Sequence, residues 1–299
     1  MKRRRTAQLL ACMSLATCAQ AGFVLEHAED FRAASRLDPA FWTVETGFLR
    51  NREAQYYTDA NLTLQGGALV IEARREQAAN ADYGKLGRGW RGAAPQSRYT
   101  SASIVSRRAF LYGRIEVVAR SPGGAGVWPA IWLLHESEGR YGEIDIYESV
   151  GKHPDTAFAG VHYGRDPRTR QHRNVGKPVP GLVGGWHTHV LEWTPERIAI
   201  GVDGETIFTF DPALADTGGT DPLRRPMRLH VNLALGGNWG GPIDDTRLPA
   251  RFEIRSVRIY RWDPSAPDVA PAPQMPAAAA VAAEADAPPS APAAPRWGR

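Results

Sequence analysis

From Gly22 to Asp263 the apolar residues recur with a period of two, and no stretch of a dozen residues holds a helical period. Leu229, Val231, Leu233 and Leu235 alternate with His230, Asn232 and Ala234; Ile115 and Val117 alternate with Arg114 and Glu116; Ile198, Ile200 and Val202 share one face. Successive side chains of a strand point to opposite sides, so this alternation marks half-buried strands. Asp203-Gly204 joins two such runs and signals a tight hairpin, while Gly-Gly pairs at 66–67, 184–185 and 236–237 punctuate others. The expectation is one all-β domain over 22–263. At that size a two-sheet sandwich or jelly roll fits better than a small barrel.

The two ends differ from this body. Residues 1–21 open with Lys2, Arg3, Arg4 and Arg5, run apolar from Ala7 to Cys18 and close on Ala19-Gln20-Ala21. That is the pattern of a cleaved export signal, and it places the protein in the secreted or periplasmic class. An amphipathic N-terminal helix is the alternative reading. Leu15-Ala16-Thr17-Cys18 also loosely resembles a lipoprotein signal, which would anchor the chain through Cys18. The second cysteine, Cys12, lies in the same segment, so the β domain holds no disulfide and must be stabilised by its core. From 264 to 299, Pro and Ala supply 23 of 36 residues, which forbids continuous secondary structure and leaves too little bulk to repay ordering. A disordered tail is expected there.

Charge narrows the partners. The chain has 36 Lys and Arg against 32 Asp and Glu, and removing the four bases of the first segment leaves a balance of 32 to 32. A neutral domain lacks the electrostatic footprint of a nucleic-acid binder. No other run approaches the roughly 18 apolar residues of a membrane span. A monomer without a membrane span or nucleic-acid partner is expected.

The chemistry concentrates in residues 142–151, Gly-Glu-Ile-Asp-Ile-Tyr-Glu-Ser-Val-Gly. In a regular strand Glu143 and Asp145 share a face and Glu148 points the other way. A β-bulge near Ile146 or Tyr147 would cancel that parity and gather three carboxyls on one surface, where at least one pKa must rise. Two leaning glutamates about four strand steps apart could reach the carboxyl separation of a retaining glycosidase, ~5–5.5 Å. Local pattern alone reads equally well as an acidic strand facing solvent. Trp128, Trp132, Trp186, Trp193 and Trp239, with Tyr141 and Tyr163, offer flat rings for stacking on sugars, although a Trp such as Trp193 or Trp132 can equally be core. Trp239, flanked by Gly236, Gly237, Gly240 and Gly241, has no bulky neighbours to pack it and reads as a cleft residue. His187 and His189 alternate on a strand without Cys or HExxH, so no metal site is expected. No GxSxG, P-loop or GxGxxG stands in a credible context.

The run GEIDIYE, preceded by YGRIEVVAR (112–120) and GVWPAIWLL (126–134), resembles glycoside hydrolase family 16, above all its laminarinase-like members with a bulged ExDxxE signature. The likeness continues through NREAQYYTDANLTLQGGALVIEA from Asn51, YTSASI from Tyr99, VHYG from Val161, WHTHVLEWTPERIAIGVDG from Trp186 and VNLALGGNWGG from Val231. It implies a β-jelly-roll sandwich of two antiparallel sheets with a concave substrate cleft, and retaining hydrolysis of β-glucan. It also implies roles: Glu143 nucleophile, Glu148 general acid/base, Asp145 tuning the nucleophile. Trp128 and Trp132 match the sugar-platform region and His162 the strand beside the carboxylates; Asn51, Trp239 and Tyr141 join them as substrate-binding residues.

Three departures stand out. Gly139-Arg140-Tyr141 replaces a common Trp-Pro before GEID, and Ser103 stands where an Arg is common. Many members hold a structural calcium on the convex side, where Arg255 and Ser256 stand here, and such a calcium is kept as an alternative; the chemistry needs no cofactor, since two carboxylates suffice for it. The leading expectation is an exported endo-β-1,3-glucanase, with mixed-linkage β-1,3-1,4-glucan as a further substrate. A galactan-type hydrolase, a transglycosylase and a non-catalytic β-glucan-binding protein on the same fold are the alternatives; two adjacent, costly glutamates argue against the last.

Overall fold

The alternating runs pair into two large antiparallel sheets, seen in a computed structural model that describes residues 22–85, 89–137, 139–168, 170–216 and 219–266. The export-signal reading of 1–21 and the tail beyond residue 266 lie outside them. With strands numbered in chain order, one sheet runs β15 (Glu205–Phe210), β14 (Ile198–Val202), β13 (Trp186–Trp193), β8 (Gly113–Arg120), β17 (Ala250–Asp263), β5 (Ala68–Ala73), β4 (Leu62–Gln65), and β1 (Gly22–Asp30) pairs with the C-terminal part of β17. The other runs β12 (Gln171–Pro178), β11 (His153–Gly164), β10 (Arg140–Val150), β9 (Val127–Ser137), β16 (Met227–Leu235), β7 (Ser103–Phe110), β2 (Trp42–Val44). A short parallel pair, β3 (Gln55–Tyr57) and β6 (Tyr99–Ser101), flanks them. This is the jelly-roll sandwich. Among the described residues no helix is long and apolar enough to cross a membrane.

One face of each sheet supplies the core. Ile131, Leu133, Ile144, Leu229, Val231 and Leu233 meet Ile115, Val117, Leu191, Ile254 and Val257, all buried in one cluster. Each fully buried aliphatic side chain contributes roughly 1.5–3 kcal/mol relative to exposure. On β16 the residues between these apolar positions, His230 and Asn232, turn to the opposite face and line a cleft. Trp193 and Tyr163 belong to the core, Trp193 donating its indole N–H to the Leu223 carbonyl and Tyr163 packing on Phe210. Neither serves the cleft.

Turn chemistry behaves as the sequence implies. Asp203 and Gly204 both take positive φ, 50° and 84°, between β14 and β15, the conformation that matches a two-residue hairpin to strand twist. Gly142 has a different reason. A Cβ there would collide with the Pro222 carbonyl, so only glycine lets β10 pass under that loop.

Candidate active site

Strand β10 carries one extra residue. Asp145 pairs with Trp132 and Tyr147 with Ile131, so two steps on β10 oppose one on β9, and Ile146 is the bulge. Ile146 and Tyr147 therefore both enter the core, fully buried, and the Tyr147 hydroxyl is satisfied by Ser121 Oγ at 2.7 Å and Ser149 Oγ at 2.9 Å. Parity is reset. Glu143, Asp145 and Glu148 all face the same cleft, of about 730 Å³.

Strand register lays out the floor as three rows. His172, His162, Glu143 and Leu134 form one; Asn174, Gly160, Asp145, Trp132 and His230 the next; Gly176, Phe158, Glu148, Ala130 and Asn232 the third. Neighbours in such rows stand ~4.5–5.5 Å apart at Cβ, so each carboxylate has fixed cross-strand partners. The loop 50–53 forms a wall. It is tied to the turn after β16 by Asn238 N–H to the Asn51 carbonyl at 2.8 Å, while the Asn51 side chain donates to Glu53 at 3.2 Å.

Each acid has its own surroundings. Burial pushes Glu148 up to about 8, reinforced by the nearby charge of Glu143 and offset only by the Trp128 indole N–H at 2.9 Å. Burial also raises Glu143, but there the Tyr141 hydroxyl donates to Oε2, and Arg170, Asp145 and His230 pull the same way. Asp145 is raised well above the carboxylate range by burial and by its two glutamate neighbours, and it shares a hydrogen bond with Glu143. His162 Nε2 stands 3.4 Å from Asp145 Oδ2 and 3.7 Å from Glu143 Oε1. A solvent-facing acidic strand is excluded, because Asp145 is only 4% exposed.

The aromatic residues divide. Trp128, nearly buried, packs edge-on to Trp239, which in turn meets Phe158 edge-on, so three rings cluster beside Glu148. Trp132 lines the cleft with its indole N–H on Asn232 at 2.8 Å, its ring stacked on His230 and approached by the Arg50 guanidinium. Trp186 lies on the other sheet, with the guanidiniums of Arg255 and Arg120 3.9 and 4.9 Å from its ring centroid. The carboxylates of Asp30 and Glu253 also act on Arg255, Glu253 being paired with Arg120.

Several participants escaped the sequence reading. Arg50 and Glu45 join Ser103 in a half-buried network at one end of the cleft: the guanidinium pairs with Glu45 and reaches Ser103 Oγ at 3.2 Å, and Ser103 donates to Glu45 at 2.6 Å. Residue 50 thus brings a guanidinium to the place where position 103 has none. These contacts, with His230, hold the Glu45 carboxyl down to about 2 against its burial. Arg170 and Phe158 were likewise missed, since their roles arise only when β11 pairs with β10 and β12.

Comparison with known proteins agrees with this fold. The family model described as Glycosyl hydrolases family 16 matches residues 50–248. The chain belongs to that family. It is accordingly a glycoside hydrolase. A β-glucanase of Rhodothermus marinus is 34% identical, over 87% of this chain and 95% of its own. The solved laminarinase of Rhodothermus marinus superposes with a TM-score of 0.67 at 33% identity, covering 81% of this chain and 98% of that one. A structure from work on endo-acting O-glycanases of the human gut microbiota reaches a TM-score of 0.73 at 31% identity, covering 80% and 91%.

Proposed function

We propose that this member of family 16 cleaves internal β-1,3 bonds of a laminarin-like glucan by double displacement, with mixed-linkage glucan as a further substrate. The observation that carries the reading is the bulge at Ile146, which turns two glutamates and an aspartate to one cleft face and gives them different surroundings. The names β-glucanase and laminarinase borne by its relatives support the substrate class.

In this mechanism Glu148 holds its proton at neutral pH and delivers it to the departing glycosidic oxygen. Trp128 fixes the orientation of that carboxyl. Glu143, surrounded by the Tyr141 hydroxyl and the positive charge of Arg170, attacks the anomeric carbon from the opposite face and forms a glycosyl ester. Asp145 donates to Glu143 while the nucleophile is charged, so the site never carries three full charges. Glu148, now a carboxylate, takes a proton from water as the water opens the ester, restoring the β-configuration. Trp132, Trp239, Tyr141, Asn51 and His162 line the path of the sugar chain. The composition of residues 1–21 supports action outside the cytoplasm.

Incubation with laminarin, lichenan, a β-galactan and mucin O-glycans, with early products read by proton NMR, tests this reading. The expected result is mid-chain cleavage of laminarin with the β-anomer appearing first. The α-anomer first would overturn double displacement; cleavage of galactan or O-glycan alone would overturn the glucan assignment.

A further inference from the structure

We propose that Arg170, on the loop between β11 and β12, is a positioning residue that fixes the orientation and tautomer of His162 and thereby aligns the Asp145–Glu143 pair. The inference rests on Glu143 acting as the nucleophile. Arg170 is exposed and lines the cleft, its Nη1 held by the Pro167 carbonyl and its guanidinium carbon 5.5 Å from the centroid of the Tyr141 ring. Its Nε–H donates to His162 Nδ1 at 3.2 Å.

That hydrogen bond has a chemical consequence. A guanidinium has donors only and keeps its protons at any ordinary pH, so the nitrogen it faces must present a lone pair. In the neutral imidazole the proton is then on Nε2, the atom 3.4 Å from Asp145 Oδ2 and 3.7 Å from Glu143 Oε1. His162 is fixed as a neutral donor aimed at the two acids. Facing the imidazole are Glu143 and Asp145 from β10, His172 stacked on it from β12 at 5.4 Å, and Arg170 from the loop. Burial, with the charges of Arg170 and His172, holds its pKa down to about 4.

The same proton bears on metal binding. Glu143, Asp145 and His162 place possible ligand atoms within 4.8 Å of one another. A metal would need the Nε2 lone pair, and the Arg170 hydrogen bond puts a proton there instead. The cluster does not fit a cation while Arg170 stays in place.

Arg170 also touches the nucleophile's other partner. Its guanidinium lies over the ring of Tyr141, whose hydroxyl donates to Glu143, so one loop residue contacts both side chains that steady the attacking carboxylate. Its positive charge favours the ionised form of Glu143.

The test uses the full-length protein, Arg170→Ala, Arg170→Gln, and Arg168→Ala as a charge-matched control on the same loop. Nitrogen-15 NMR, with the His162 signals assigned by His162→Gln, reads the tautomer without any substrate. Wild type is expected to show an unprotonated Nδ1 and a protonated Nε2. In Arg170→Ala both tautomers are expected and His162 titrates at higher pH, because a neighbouring cation is gone. On laminarin, kcat of Arg170→Ala should fall roughly tenfold, the order of loss expected from a misaligned reacting group, with KM within about twofold of wild type. The acid limb of its kcat/KM profile should move to higher pH, since Glu143 loses a stabilising charge. Arg170→Gln keeps an N–H donor without the charge, so it should retain the tautomer while moving the limb; Arg168→Ala should change neither. A protonated Nδ1 in wild type would overturn the proposal, and so would a loss confined to KM with an unmoved limb, which is the signature of a substrate contact. Should wild type show the Nε2 proton and yet leave β-1,3-glucan uncut, the substrate reading fails while the Arg170–His162 assignment stands.

Discussion

Trp128 and Glu148 lie twenty residues apart on adjacent strands, and the indole N–H of the first donates to Oε1 of the second at 2.9 Å. This bond orients the carboxyl and is the only hydrogen bond among the described residues that offsets the upward push of burial on it. Trp128→Phe keeps the ring against Trp239 and removes the donor. We expect the basic limb of the kcat/KM profile to move to higher pH, because Glu148 loses the bond that favours its charged form. We also expect kcat to fall by about tenfold, a modest part of the usual contribution of a positioned acid. An unmoved limb would show that the indole does not govern Glu148.

Glu148 also costs the fold stability. Its native pKa lies near 8, above its ordinary value of 4.5, so the folded state binds more protons than the unfolded chain between those limits. Stability therefore falls as pH rises through that window, and the cost is fully present above pH 8. Glu148→Gln removes the charge and keeps an oxygen for Trp128. Its melting temperature should match that of wild type near pH 4.5 and exceed it at pH 8.5, while hydrolysis of glucan is lost. Melting below wild type at pH 8.5 would refute a buried, proton-retaining Glu148.

Much of this arrangement was legible in the chain. The alternation at 229–235 marks a strand with one face in the core and His230 and Asn232 on the other, and the ExDxxE spacing offers a bulge as the way to bring positions 143, 145 and 148 to one face, beside an acidic strand facing solvent that local pattern alone allows; the structure has the bulge. What stayed hidden depends on contacts across the sheet. Nothing near position 170 announces a partner for His162; the loop turns back only once β11 and β12 pair, placing His172 opposite His162. Glu45, Arg50 and Ser103 are separated by up to 58 residues and become a network only through burial at the end of the cleft. Trp128 and Tyr141 read as platforms for sugar by residue type, yet the structure commits their polar atoms to Glu148 and Glu143.

The two glutamates should separate by chemical rescue. Glu143→Ala removes the covalent step, so activity should fall by several orders of magnitude, and azide should restore turnover of an activated aryl glycoside by direct attack, giving the α-glycosyl azide. Glu148→Ala should keep a measurable first step on the same activated substrate, whose leaving group needs no proton, while losing natural glucan. Azide should then give the β-product. Mass and anomeric analysis of the azides decides the matter, and the opposite pairing of anomer and variant would exchange the assigned roles.

In the proposed mechanism Asp145 is the group on which the nucleophile's charge depends. It is buried between Glu143 and Glu148, which with burial push its carboxyl well above the usual range, and the mechanism has it share a proton with Glu143. Asp145→Asn has the same shape and still donates, so the fold should survive, with a melting temperature close to that of wild type at neutral pH. The shared O–H is nevertheless a stronger donor to a charged oxygen than an amide N–H. Replacing it leaves the Glu143 carboxylate less stabilised, and the pKa of Glu143 rises. We expect the acid limb of the kcat/KM profile to move to higher pH and kcat to fall by about one to two orders of magnitude, the size expected from weakening a hydrogen bond to a charged group. The measurement is the full pH profile of the variant on laminarin beside its thermal unfolding. Wild-type turnover with an unmoved limb would reduce Asp145 to a bystander on the strand.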